Sequence, residues 1–245
     1  MKYALLADIH SNIEALDACL EKVEQFNPDQ YIFLGDLVGY GADPVAVLNR
    51  IRSISNRVVI KGNHDAAVAI AANPNMREDV RQAIDWTRMQ LQQSDLDLLN
   101  QLPLTFREGH CLFVHANAIS PEKWSYVLTE AEAMHNMNAV QESVIFCGHV
   151  HEPKLYSMGS NGRAQLFIPT SGVSIPLIQS RKWFSIVGSV GQPRDKSTLA
   201  SCAVYDSDKN QLTYFRVIYD YLSAADKIRK AGLPTFFADR LERGE

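Results

Sequence analysis

Seven side chains of metal-ligand type, Asp8, His10, Asp36, Asn63, His115, His149 and His151, stand in five short clusters. These read Asp8-Ile9-His10, Gly35-Asp36, Gly62-Asn63-His64-Asp65, His115 and Gly148-His149-Val150-His151. Any one cluster arises by chance in many chains, and a lone histidine such as His115 is more often a satisfied core residue than a ligand. Five in series, each after an apolar run, are hard to obtain that way. Carboxylate, imidazole and carboxamide donors without thiolate suit manganese, iron, zinc, cobalt or nickel and disfavour a purely structural cysteine-type zinc site.

Positioning such groups requires elements that end where the clusters begin. Tyr3 to Ala7 is a continuous apolar run, expected to be a buried strand that delivers Asp8 and His10 at its carboxyl end. Ile13, Leu16, Leu20 and Val23 then recur at helical steps, with Ser11 or Asn12 as cap and Pro28 beyond the end. The unit repeats as strand Tyr31 to Leu34, the Asp36 turn and a helix from about Asp43 to Ile54 with Pro44 in its first turn. It repeats again as strand Arg57 to Ile60, Asn63-His64-Asp65 and an Ala-rich helix. Gly35, Gly62 and Gly148 precede ligands where the chain must leave a strand sharply, and positive φ is expected there.

Residues from about Met76 to Leu102 read as helical, divided near Ser94, and serve packing or a lid; from Leu104 onward short strand-like runs dominate, interrupted by a polar helix around Glu130 to Val140. A βα-rich first half and a β-rich second half, with ligands from both, predict a four-layer α/β/β/α sandwich. A single domain is expected over 1–245, with a C-terminal tail from about 221 holding one modest helix and the apolar Leu233-Pro234-Thr235-Phe236-Phe237.

The cluster series resembles that of the calcineurin-like metallophosphoesterases, whose motifs DxH, GD, GNH[DE], H and GHxH match Asp8-Ile9-His10 through Gly148-His149-Val150-His151 in order. The resemblance implies the same four-layer fold. It also implies that Asp8, His10 and His151 bind one metal, that Asn63, His115 and His149 bind the other, and that Asp36 bridges them. Two divalent ions about 3.5–4 Å apart can share a bridging hydroxide at neutral pH and clamp the phosphoryl oxygens during in-line attack. Asn63 adds a ligand without another negative charge, leaving the pair positive enough to polarise phosphate.

By the same resemblance His64 is not a ligand. It faces substrate, either protonating the leaving oxygen or stabilising its developing charge, while Asp65 orients His64 or a neighbouring loop. The plainer alternative is that both simply cap the following helix. Ser189-Val190-Gly191-Gln192-Pro193-Arg194-Asp195 resembles a late stretch of a bacterial phosphodiesterase-like subgroup related to dinucleoside-polyphosphate hydrolases. Arg194 could then bind a substrate phosphate, or it could be held in an internal ion pair with Asp195 or another acid. Arg181-Lys182-Trp183 reads as a strand start with solvated charges, and His110 and His135 as solvated.

The 245 residues are 46% apolar and 21% charged, enough for a sizeable core, and the net charge of -4 excludes a global field for nucleic acid or anionic membranes. Cys19, Cys111, Cys147 and Cys202 form no CxxC pair and read as buried thiols in a reducing compartment. The start has too short an apolar run for a signal segment, so the cytoplasm is the expected location. Together these readings predict a binuclear, metal-dependent phosphoesterase that hydrolyses a phosphodiester or phosphoanhydride of small-molecule or nucleotide size, as a monomer or an oligomer. Two other functions compete: a protein Ser/Thr phosphatase, disfavoured because Gly35-Asp36-Leu37-Val38-Gly39-Tyr40-Gly41 lacks the DR pair of those enzymes, and a non-catalytic scaffold of the same fold.

Overall fold

The computed structural model describes residues 1–71 and 76–245. Side-chain alternation along the first strand sets the layering. In β1 (Lys2–Leu6), Tyr3 and Leu5 point into one apolar cluster while Ala4 and Leu6 point into another, the period of two that a strand buried on both faces requires. β2 (Gln30–Phe33) and β3 (Arg57–Val59) run parallel to it, in the order β3-β2-β1.

The intervening helices cover the outer face. α1 (Ile13–Glu24) is capped by Asn12, whose Oδ1 accepts from Ala15 N at 3.1 Å, and it buries Leu16, Cys19, Leu20 and Val23. α2 (Pro44–Arg52) starts on its proline, and α3 (Asn63–Ala69) follows the third cluster. α4 (Glu78–Gln90) and α5 (Gln93–Gln101) complete the first half. They divide at Leu91 and Gln92 rather than at Ser94, because Leu91 turns extended and the Asp95 carboxylate accepts from Gln92 N at 3.0 Å to start the second helix.

The second sheet has the order β4-β5-β6-β10-β7-β8, formed by β4 (Thr105–Glu108), β5 (Cys111–Val114), β6 (Val144–Cys147), β7 (Lys154–Met158), β8 (Ala164–Phe167) and β10 (Lys182–Ile186). The first sheet is completed by β9 (Ser174–Pro176), β11 (Ala200–Asp206) and β12 (Gln211–Val217). The sheets therefore do not divide the chain into halves. β1 has an open edge on the side away from β2, and β11 fills it antiparallel.

Phe113 and Phe146 from the second sheet meet Tyr3 and Tyr205 from the first between the two layers. α6 (Glu130–Ala139) covers the far face of the second sheet, its start fixed by the reciprocal Thr129 and Glu132 hydrogen bonds. The result is the four-layer α/β/β/α sandwich. The C-terminal segment differs from the single modest helix expected of it. It forms α7 (Tyr221–Lys230) and α8 (Thr235–Arg243), and the apolar Phe236-Phe237 pair begins the second helix, with Phe237 fully buried beside Tyr40.

Candidate metal centre

All seven proposed ligands lie just beyond the carboxyl ends of β1, β2, β3, β5 and β6, which are parallel within each sheet. Backbone hydrogen bonds tie the loops side by side: Asp8 N to Gly35 O and His10 N to Asp36 O at 3.0 Å, and Gly148 N to His115 O at 2.9 Å. Asp8, His10, Asp36, His149 and His151 all sit at positive φ, between 48° and 67°. Left-handed backbone at five non-glycine residues is strain that the surrounding hydrogen bonds must hold.

The glycine expectation was met at Gly35, whose φ is +91°. At Gly62 the φ is -100°, and the requirement is space instead: a Cβ there would lie 2.1 Å from Asp36 Oδ1. Gly148 is likewise not among the glycines with positive φ.

The imidazoles are oriented from behind. Nδ1 of His10 faces the Val38 carbonyl at 3.3 Å, that of His151 the Gln192 carbonyl at 2.6 Å and that of His115 the Leu34 carbonyl at 2.8 Å. A carbonyl only accepts, so each Nδ1 carries a proton. Burial first, and then the facing His151 ring for His10 and Arg194 for His151, pushes both rings well below the usual histidine range. Their Nε2 atoms, 3.1 Å apart, thus meet lone pair to lone pair. His149, pushed down to about 3 by burial and then by His115, has a buried Nε2 without a hydrogen-bond partner.

His115 moves the other way. Burial opposes its charge, but Asp36, 3.4 Å from Nε2, raises it to about 9, and the same Nε2 lies 3.1 Å from Asn63 Oδ1. Converging lone pairs, an unpartnered buried nitrogen and a ring whose proton a cation would replace all fit metal ions held by oxygen and nitrogen donors. Donor atoms of Asp8, His10 and His151 lie within 4.8 Å of one another, as do those of Asp36, His115 and His149. The Asp36 Oδ2 atom is 3.7 Å from His10 Nε2 and 3.4 Å from His115 Nε2, between the two groups.

His64 is also brought to the cluster, with donor atoms grouped with those of His10 and Asp36. Its ring packs edge-on to His10 and against Tyr40, and its buried Nδ1 has no partner. Burial lowers its pKa against the pull of Asp36, keeping the ring neutral. Asp65 is set differently. Its carboxylate accepts from Asp36 N at 2.8 Å, Leu37 N at 2.9 Å, Val38 N at 3.3 Å and Gly62 N at 2.9 Å. It touches the Asp36 loop and caps α3, and the His64 ring is not among its hydrogen-bond partners.

A cleft of about 420 Å³ opens over the cluster, floored by Asp36, Asn63, His64, His149 and His151. Arg194 lines it. Asp195, the acid considered for an internal pair with Arg194, is bonded to Arg216 instead. Among the described residues Arg194 has no ion pair, and its buried Nε lacks a partner. The same loop supplies Gln192, whose carbonyl orients His151.

Other wall residues escaped sequence reasoning. Tyr126 stacks on His149 with centroids 4.1 Å apart, and Tyr40 lies 4.3 Å from His64 and 4.5 Å from His10. The Gly-Tyr-Gly setting of Tyr40 after Asp36 was a usable signal; Tyr126 carried none. Arg181 and Lys182 lie away from the cleft, Lys182 donating to the carbonyls that end α6. His110 makes a 2.7 Å hydrogen bond with the Tyr205 hydroxyl.

Comparison with known proteins gives the family. The sequence model of the calcineurin-like phosphoesterase superfamily domain matches residues 1–210, and the chain belongs to that family. An uncharacterized protein of Methanocaldococcus jannaschii is 34% identical over 98% of this chain and 97% of its own. A symmetrical bis(5'-nucleosyl)-tetraphosphatase of Janthinobacterium is 27% identical over 51% of this chain and 46% of its own, so that likeness spans about half of each. Among solved structures, a metallophosphoesterase from Sphaerobacter thermophilus superposes with a TM-score of 0.88 at 30% identity, covering 100% of this chain and 99% of that one.

Proposed function

We propose that this chain is a metal-dependent phosphoesterase that hydrolyses a phosphodiester or phosphoanhydride of nucleotide size. Asp8, His10 and His151 would hold one divalent cation, Asn63, His115 and His149 the other, and Asp36 would be shared. The observation that carries the reading is the position of Asp36 Oδ2, within 3.7 Å of an imidazole from each set. Such a cation pair supplies positive charge for the phosphoryl oxygens and makes water a competent nucleophile at neutral pH. The donor set suits manganese, iron, nickel, cobalt or zinc.

The remaining work falls to the chain's own groups. His64 lines the cleft beside Asp36, and its ring would donate a hydrogen bond to the leaving oxygen. Asp65 holds the Asp36 loop, and the Leu34, Val38 and Gln192 carbonyls fix the ring orientations. Arg194 offers a planar donor fork to a phosphate oxygen. Four buried, free cysteines favour a reducing, cytoplasmic setting. Among the described residues, no helix is long and apolar enough to cross a membrane.

The test is a screen of metal-reconstituted protein against bis(p-nitrophenyl) phosphate, cyclic nucleotides, dinucleoside polyphosphates, phosphomonoesters and phosphoproteins. Turnover of diesters or anhydrides is expected. Turnover of phosphoproteins alone would replace this reading with a protein phosphatase, and none with any of the metals would leave a scaffold.

A further inference from the structure

The cleft over the Asp36 cluster is lined by three guanidinium groups from distant parts of the chain. Arg77 lies at the start of α4, Arg194 in the loop that orients His151, and Arg240 on α8. Arg77 and Arg240 both pack on the Phe236 ring, at 5.1 Å and 4.5 Å from its centroid, and Arg194 lies 5.8 Å from the Tyr40 ring. Arg194 Nη2 and Arg240 Nη1 donate to the same neutral acceptor, Gln192 Oε1, at 2.9 Å and 3.4 Å.

The acids do not balance this wall. Arg77 pairs with Asp79; among the described residues Arg194 and Arg240 have no ion pair. The buried Arg194 Nε makes no hydrogen bond. Burial, reinforced by Arg194 and Arg77 and opposed by Tyr40 and Asp79, disfavours the charge on Arg240. Two cations sharing one amide oxygen, with a buried donor left over, make a site that fits a multivalent oxyanion.

We infer that Arg77, Arg194 and Arg240, braced by Phe236, form a second phosphate subsite, and that the preferred substrate carries at least one phosphate beyond the one attacked. The inference rests on the hydrolase reading above and adds the class of substrate: an oligophosphate or phosphoanhydride rather than a simple diester. Arg240 and Phe236 lie on α8, past residue 210 where the superfamily match ends. The C-terminal helices are thereby given a role in selecting substrate, in addition to their packing role.

The test compares Arg77→Ala, Arg240→Ala and Arg240→Lys with wild type, in metal-loaded full-length protein. kcat/KM is read for adenosine tetraphosphate and for bis(p-nitrophenyl) phosphate. The ratio of the two values is expected to fall tenfold or more in each alanine variant and to recover in part with lysine. Equilibrium binding of inorganic tripolyphosphate to the same full-length proteins is a second readout, expected to weaken at least tenfold and to weaken further with salt. An unchanged ratio together with unchanged tripolyphosphate binding overturns the subsite. Absence of all hydrolysis with tripolyphosphate binding still lost in the variants sinks the hydrolase reading and retains the anion site. Thermal unfolding of Arg77→Ala, whose side chain is largely exposed, separates a binding defect from misfolding.

Discussion

The Asp65 carboxylate accepts a 2.8 Å hydrogen bond from the Asp36 backbone amide, so the first turn of α3 holds the loop that presents the Asp36 carboxylate between His10 and His115. Gly62 N donates to the same oxygen, Oδ2, and Leu37 N to Oδ1, at 2.9 Å each. Burial and the neighbouring Asp36 charge push the Asp65 pKa up, and the surrounding amides oppose that shift.

Asp65→Asn replaces one acceptor oxygen with a donor that meets backbone N–H groups. The expected cost is about 1–3 kcal/mol of stability and roughly a 10–100-fold loss of metal affinity or activity. Metal titration and chemical unfolding of the variant check both. Unchanged affinity would show that Asp65 caps α3 without positioning Asp36.

His64→Ala removes the ring but keeps the backbone N–H that donates to Asp36 Oδ1 at 2.8 Å. Metal content should stay as in wild type while kcat on bis(p-nitrophenyl) phosphate falls by about 10²–10⁴. Equal loss of metal and activity would recast His64 as a ligand.

The legibility of this site followed the range of its interactions. Asp8, His10, Asp36, Asn63, His115, His149 and His151 were readable because each sits one to four residues past a strand that announces itself as an apolar run. The sandwich was readable for the same reason. The pairing of β11 with β1 was not, since about two hundred residues separate Tyr3 from Tyr205 and no local pattern specifies an antiparallel partner. Arg77 and Arg240 were missed likewise: each looks like an ordinary helix charge until folding sets both against Phe236. For Asp65, capping and loop positioning turned out to be one set of hydrogen bonds, which sequence could only state as alternatives.

Gly62→Ala would place a Cβ 2.3 Å from Asp36 N as well as against its carboxylate. The backbone can adopt the φ, so the expected damage is displacement of Asp36. A variant that folds but binds metal at least tenfold more weakly in calorimetry is the predicted result. Wild-type affinity would mean the loop yields freely.

Phe237→Ala leaves a cavity between α8 and Tyr40, where the ring centroids are 4.6 Å apart. A loss of about 3–5 kcal/mol is expected from a fully buried phenylalanine, read from denaturant unfolding. Loss below ~1 kcal/mol would indicate that α8 is only loosely docked.

Whether this cluster is a catalytic metal centre is decided by the hydrolysis rate of bis(p-nitrophenyl) phosphate after chelator stripping and again after adding back manganese. Stripping is expected to abolish turnover, manganese or a similar divalent ion to restore it, and Asp36→Asn to stay inactive. Full turnover by the stripped protein, or full restoration of Asp36→Asn, would contradict it.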